Sequence, residues 1–327
     1  MTRVLITGAT GFVGGHLAEH LAALGGLEVH GLGRRAPERA ALPLARLHLC
    51  DLTDRERVRE VVADAKPELV FHLAGQASIP AAWSDPVGTF VTNVVGQIGL
   101  LDALVELAPE TRVLVVGSSD EYGLVRPEEL PISETQPFRP TSPYGVSKIS
   151  QEMLGYQYFL ARGLAVVRVR PFNHFGPRQR DAFVASAFAR QVAEAEAGLL
   201  PPVLRVGNLS ARRDFTDVRD VVRAYWLALT KGEAGEVYNV GSGRGVPIQT
   251  LLDTLLEMSE VSLRVEPDPA RLRPADVPAM YADVGKLAAR TGWSAEIPME
   301  RTLRDTLEDW RGRIRGSKPS GFERSLG

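Results

Sequence analysis

Apolar residues gather along the first half of the chain in short runs, at residues 4–7, 29–32, 47–50, 69–72, 113–117 and 166–169. Runs this short, without polar alternation, predict strands buried on both faces, as in a parallel sheet. Between them lie residues 12–24, 55–65, 88–107 and 144–162, whose apolar positions fall on one face and predict helices. Strand and helix in alternation, joined by right-handed crossovers, predict an α/β fold on a doubly wound parallel sheet of Rossmann type.

After about residue 170 the rhythm changes. A helical pattern over 182–197 precedes Pro201-Pro202, a strand-like run at 203–206 and the turn Gly207-Asn208. Residues 237–240 read as a strand again, 248–259 as a helix, and a proline-punctuated loop at 267–278 leads into two closing helices. The expected division is a cofactor-binding domain over 1–171, rejoined by 214–245, and a smaller C-terminal substrate-binding domain over 172–316.

Composition narrows the partners. With 327 residues the chain can bury one large or two closely packed cores. A formal net charge of −2 offers no long-range attraction to nucleic acid or an anionic membrane, so neither is an expected partner and any anion site must be local. No window is read as a membrane span. The lone Cys50 excludes an intrachain disulfide and a multi-cysteine metal site, and it suits a reducing cytoplasm. No metal is expected.

The first apolar run enters Gly8-Ala9-Thr10-Gly11-Phe12-Val13-Gly14 and then a helix. A dinucleotide pyrophosphate needs such a turn, free of side chains and ending in a helix N-terminus. Gly8 permits the turn, Gly11 the close approach and Gly14 the packing of helix on strand. The end of the second run selects the cofactor. A carboxylate there would bind the NAD ribose, but the chain has Arg34 and Arg35, which suit a 2′-phosphate. NADP(H) is therefore the preferred cofactor, with NAD(H) as the alternative. Asp51 and Leu52 are expected at the adenine edge, and Leu73, Ala74, Gly75 and Gln76 beside the nicotinamide.

Tyr144 and Lys148 stand four apart at the start of a helical pattern and so share a face. An ammonium beside a phenol would stabilise its phenolate, and Tyr144 could then exchange a proton with a substrate oxygen. The fifth run ends in Gly117-Ser118-Ser119. Counting from the strand picks Ser119 as the partner hydroxyl, whereas counting back from Tyr122 picks Ser118.

The glycine triplet with Ser119, Tyr144 and Lys148 resembles the extended short-chain dehydrogenases. Narrower segments are similar to the branch that processes GDP-mannose: Ser118-Ser119-Asp120-Glu121-Tyr122-Gly123, Phe172-Asn173-His174, Gly207-Asn208-Leu209, residues 213–218 and Arg273-Pro274-Ala275-Asp276-Val277. The resemblance implies a GDP-sugar substrate, with Asn173 and Arg213 at the diphosphate, Arg273 on phosphate and Asp276 on ribose. Ser119, Asp120, Glu121, Val184 and Asn208 are further expected substrate contacts, and Phe172 and His174 join Tyr144 and Lys148 at the cofactor. It also implies a homodimer through the helices at 88–107 and 144–162.

Within that branch, dehydratases need an acid/base carboxylate beside the serine or threonine. Asp120-Glu121 reads as one residue short of the dehydratase pattern, and Ala187 stands where a dehydratase lysine is usual. The resemblance therefore implies NADP(H)-dependent reduction of GDP-4-keto-6-deoxy-mannose to GDP-rhamnose. GDP-mannose 4,6-dehydration, another sugar-nucleotide epimerase or reductase, and a non-catalytic NADP(H) sensor are the alternatives.

Overall fold

The computed structural model describes residues 1–37, 41–271 and 277–317. Its strands are β1 (Thr2–Thr7), β2 (Leu27–Gly33), β3 (Arg46–Leu49), β4 (Leu69–His72), β5 (Arg112–Val116), β6 (Ala165–Pro171), β7 (Asn173–Phe175), β8 (Val203–Val206), β9 (Arg212–Asp217), β10 (Val237–Val240), β11 (Gly245–Pro247), β12 (Arg264–Pro267) and β13 (Ala279–Met280). Its α-helices are α1 (Phe12–Leu24), α2 (Arg55–Ala65), α3 (Ile79–Ser84), α4 (Pro86–Phe90), α5 (Gly96–Leu107), α6 (Pro143–Arg162), α7 (Val184–Glu196), α8 (Val218–Lys231), α9 (Ile248–Glu257), α10 (Gly285–Thr291) and α11 (Met299–Ser317).

Two compact units form. The first comprises Met1–His174, Arg213–Gly245 and Ala279–Glu296. Its sheet has the order β10-β6-β5-β4-β1-β2-β3, and every neighbouring pair runs parallel. The apolar runs of the inner strands are explained by two cores, whereas β3, at the sheet edge, leaves Leu49 exposed. Val4, Ile6, Phe71 and Leu114 face α1 and α8, where Leu17, Leu21, Val221 and Tyr225 meet them. Leu5, Val70, Val113 and Val115 face the other way, against Val58 and Val62 of α2 and Leu100, Leu101 and Leu104 of α5. Strands β1, β4 and β5 thus send alternate side chains into different cores, and none of those positions can be polar without a partner.

Residues 279–296, expected with the second domain, belong to the first unit. Buried Trp293 is the reason: it joins the core that holds Leu287 and Tyr225, and its indole N–H donates to the Asp220 carbonyl at 3.0 Å. Residues 88–107 are not one regular helix either. A π-helical turn, Val91–Val95, separates α4 from α5. Contrary to the reading of the hydropathy pattern, Pro86–Leu107 is long and apolar enough to cross a membrane by length and composition alone, with mean hydropathy 1.4. In this fold its Leu100, Leu101 and Leu104 are core residues.

The second unit comprises Phe175–Arg212, Val246–Pro278 and Ile297–Gly327. In it α7, α9 and α11 pack together over Phe188, Val192, Leu251, Leu255, Leu303 and Leu307, all buried. Strand β8 pairs in parallel with β12. The Trp310 indole donates to Ser186 Oγ at 2.9 Å, and Arg311 clamps Glu196 with two bonds of 2.6 and 2.7 Å.

Candidate active site

The loop after β1 is built for an anion. Gly8 has φ +73°, and a Cβ there would lie 2.9 Å from the Ala74 nitrogen. A Cβ at Gly14 would run into the Gly8 carbonyl and Ala9. Gly11 caps α1 without a side-chain acceptor, and no acidic residue lies in the first turn. The first N–H groups and the positive end of the helix dipole are therefore free of a competing carboxylate. The cradle fits a dinucleotide pyrophosphate. Phe12, at the first position of α1, stacks on His174 with centroids 6.3 Å apart and planes 5° apart. His174 Nδ1 lies 3.0 Å from the Phe172 carbonyl, and burial lowers the imidazole pKa.

Arg34 and Arg35 are exposed just beyond β2. Two hydrogen bonds from Thr53 hold the Asp51 carboxyl below its ordinary value, and the charge of Arg34 adds to them. Leu52 beside it is buried. After β4, Leu73 N donates to the Thr7 carbonyl at 3.2 Å and Ala74 N to Thr7 Oγ1 at 3.2 Å. Gln76 N donates to Asn93 Oδ1 at 2.7 Å. The Asn93 amide donates in turn to the Gln76 carbonyl at 3.1 Å and to Ser147 Oγ at 3.0 Å. Fully buried Asn93, in the π turn, therefore ties the loop after β4 to the start of α6. The sequence reading missed it. Its signal was a pair of polar residues four apart, Asn93 and Gln97, in an otherwise apolar stretch.

Helix α6 starts with Ser142 accepting from Gly145 N at 3.1 Å and with Pro143 in its first turn. That start sets Tyr144 and Lys148, both buried, one turn apart on one face. Lys148 Nζ donates to Gln151 Oε1 at 2.8 Å. Burial brings the ammonium down to about 8, against the opposing pull of Glu121. Burial, and then the charge of Lys148, bring His72 down to about 3. The phenol moves the other way. Burial first and the Asp120 carboxylate second raise Tyr144 well above its ordinary value, and a hydrogen bond with Ser118 opposes them. The charge acting on the phenol in this structure thus favours its protonated form.

Of the two serines that counting left open, Ser118 is the one whose side chain acts on the Tyr144 phenol; it ends the extended backbone at φ −161° and caps the short 3-10 turn Ser119–Glu121. Ser119 is the first residue inside the turn, and its carbonyl accepts from Tyr122 N at 3.1 Å. Ser118 Oγ also donates to Asp120 Oδ2 at 3.1 Å. The Asp120 carboxylate therefore reaches the site, which the apparent missing residue had argued against.

Glu121 does not reach it. It is fully buried and turned back, accepting from Ser118 N at 2.8 Å. It lies against Glu152 and 3.3 Å from Arg170, so it cannot contact a substrate as expected. Burial and the Glu152 carboxylate push its carboxyl well above the ordinary value. Arg170 binds Glu152 at 2.6 and 2.7 Å and the Tyr122 hydroxyl at 2.9 Å. These contacts make Glu121 a brace under the serine turn.

Among the remaining expected substrate contacts, Asn173 is exposed on β7 and Arg213 is half-buried on β9. The strand carrying Arg213 is fixed by its buried neighbour Asp214, whose carboxylate accepts from Ser242 N at 2.6 Å, Gly243 N at 3.0 Å and Ala282 N at 3.1 Å. Val184, which opens α7, and Asn208, which accepts from Ser210 N at 3.0 Å, belong to the second unit. Arg273 and Asp276 lie outside the described residues.

Residues 5–306 match the protein family described as GDP-mannose 4,6 dehydratase. The GDP-6-deoxy-D-mannose reductase of Pseudomonas aeruginosa is 39% identical, over 96% of this chain and 98% of that one. A solved structure of RMD from Pseudomonas aeruginosa complexed with NADPH superposes with a TM-score of 0.84 at 36% identity, covering 95% of this chain and 100% of that one. The Thermus thermophilus UDP-glucose 4-epimerase in complex with NAD gives 0.85 at 33%, covering 95% and 99%.

Proposed function

Because this chain belongs to the GDP-mannose 4,6 dehydratase family and is a nicotinamide-dependent enzyme of the extended short-chain dehydrogenase type, we propose that it reduces GDP-4-keto-6-deoxy-mannose to GDP-rhamnose with NADPH. The observation that carries this reading is the placement of Tyr144. A ketone that receives hydride must also receive a proton on its oxygen, and the buried Tyr144 phenol, one turn from buried Lys148 on α6, is the group that gives it. Ser118 Oγ, on the phenol, supplies the second polar contact to the same substrate oxygen. Lys148 then helps return a proton to the phenolate and holds the cofactor ribose. When bound, the reduced nicotinamide supplies the hydride.

The residues fit the cofactor as follows. The Gly8, Thr10, Gly11, Phe12, Val13 and Gly14 loop holds the pyrophosphate, and Arg34 and Arg35 hold the 2′-phosphate. Asp51 and Leu52 border the adenine. Leu73 to Gln76, with Phe172 and His174, border the nicotinamide half. On the substrate side, Asn173, Arg213 and Arg273 bind diphosphate and Asp276 ribose, with Val184 and Asn208 as further contacts. A homodimer is supported by exposed apolar residues on the expected helices, Val91 and Val95 on one and Met153 and Leu160 on α6. We place the enzyme in the cytoplasm, in keeping with its one cysteine, buried and unbridged.

A second reading, GDP-mannose 4,6-dehydration, is favoured by one observation: the Asp120 carboxylate beside Ser118 stands where an acid/base group is needed. Product analysis separates the two. Under the reductase reading GDP-mannose alone stays unchanged, and the 4-keto-6-deoxy sugar oxidises one NADPH per molecule. Conversion of GDP-mannose to the keto product without added reductant would establish the dehydratase instead.

A further inference from the structure

At the sheet edge, away from Tyr144 in the sequence and in its network of bonds, two buried histidines meet a carboxylate. His30 on β2 and His48 on β3 lie on one face of adjacent parallel strands, where His30 pairs with Arg46 and Leu32 with His48. Asp64 comes from α2, which covers that face. The two rings stack with centroids 5.4 Å apart and planes 16° apart. His30 Nδ1 lies 3.1 Å from His48 Nε2, and His48 Nε2 lies 3.6 Å from Asp64 Oδ2. All three donor atoms fall within 4.8 Å of one another.

We propose that His30, His48 and Asp64 form a three-ligand site for a borderline divalent transition metal, with Zn²⁺ as the first candidate. Metal–ligand bonds of about 2.0–2.2 Å in tetrahedral geometry put neighbouring donors about 3.3 Å apart, close to both observed separations. The outer shell is also present. His30 Nε2 lies 3.1 Å from Glu28 Oε1, so that the Nε2–H donates to this carboxylate and Nδ1 keeps a lone pair for a metal. The imidazole side chains are 8% and 7% exposed, whereas Asp64 is 42% exposed and leaves a route for the ion and a water ligand. Two cations oppose the site. Arg46 holds Asp64 Oδ2 at 2.7 Å, and the charge of Arg57 also acts on His48. The metal therefore uses Asp64 in competition with Arg46. Bound there, it would pin β2, β3 and α2 together.

The experiment titrates chelator-treated full-length protein with Zn²⁺ against a chromogenic chelator near pH 7.5. One saturable equivalent is expected, together with a rise in Tm. Mg²⁺ and Ca²⁺, which prefer oxygen donors, should not displace it. His48→Gln should abolish the equivalent. Glu28→Gln, which removes only the outer carboxylate, should weaken it by about 10- to 100-fold. Arg46→Ala should tighten it by freeing Asp64. Asp64→Asn alters an exposed side chain and decides the matter if His48→Gln fails to fold. Absence of a saturable equivalent overturns the proposal. So does an equivalent that survives both Asp64→Asn and His48→Gln with unchanged affinity.

Discussion

Ser118 Oγ donates to Asp120 Oδ2 across 3.1 Å, and both side chains act on the Tyr144 phenol. The carboxylate thus acts on the proposed general acid through its charge. Asp120 raises the Tyr144 pKa, so Asp120→Asn should lower it. The acid works while protonated and fails as pH rises through its pKa. The alkaline limb of kcat should therefore move to lower pH in the variant, with reduction of the keto sugar retained near neutral pH. A limb that stays in place would mean that another group limits the rate.

The two serines should separate cleanly. Ser118→Ala removes the hydroxyl at the phenol and should reduce kcat by about 100-fold, the scale for loss of one donor to a developing oxyanion. Ser119→Ala, inside the short turn, should leave kcat within a few-fold. Steady-state NADPH oxidation with the keto sugar measures both. Reversed effects would return the role to Ser119.

Replacing Arg34 and Arg35 together with alanine should weaken NADPH by about 10- to 100-fold, the range for losing charge-assisted bonds to one phosphate. NADH, which lacks that phosphate, should change little. Fluorescence titration of both cofactors is the measurement, and equal losses would remove the arginines from the 2′-phosphate site.

Glu121→Gln should fold and keep most of its activity, because glutamine mimics the protonated carboxyl that burial and Glu152 enforce. The sign of the pH dependence follows from the raised pKa. The folded state holds a proton that the unfolded chain releases near 4.5, so this stabilisation is complete below that value and is lost as pH rises toward the folded pKa. Glutamine escapes that loss. The Tm of the variant relative to the parent should therefore increase as pH is raised above about 4.5. A large loss of Tm at every pH would instead show an ionised Glu121 paired with Arg170.

The central sheet was legible because strands covered on both faces are mostly apolar, as Val4, Leu5 and Ile6 illustrate by serving two cores. The phosphate loop was legible because its glycines answer steric demands visible in their spacing. Ser118 was not distinguished from Ser119, since a strand end read from apolar pattern is uncertain by a residue and one residue turns a side chain to the other face. Glu121 reads as a substrate contact until Arg168 and Arg170 are seen on the same face of β6, holding Glu152 beside it. Trp293 lies far along the chain from the helices it packs on, so no local pattern announces its return to the first core.

The π-helical turn at Val91–Val95 is, in effect, a one-residue insertion that the helix absorbs by widening. It aims Asn93 inward while the flanks before and after it keep ordinary helical phase. Removing a single residue from this turn would let the helix close into regular α geometry with Leu100, Leu101 and Leu104 still at their places in the core. The amide link from Gln76 to Ser147 would be lost with it. At this point in the chain, length and connection are separable: a deletion that elsewhere in a helix would rotate its packing face would here leave the packing in place and disconnect α6 from the loop after β4.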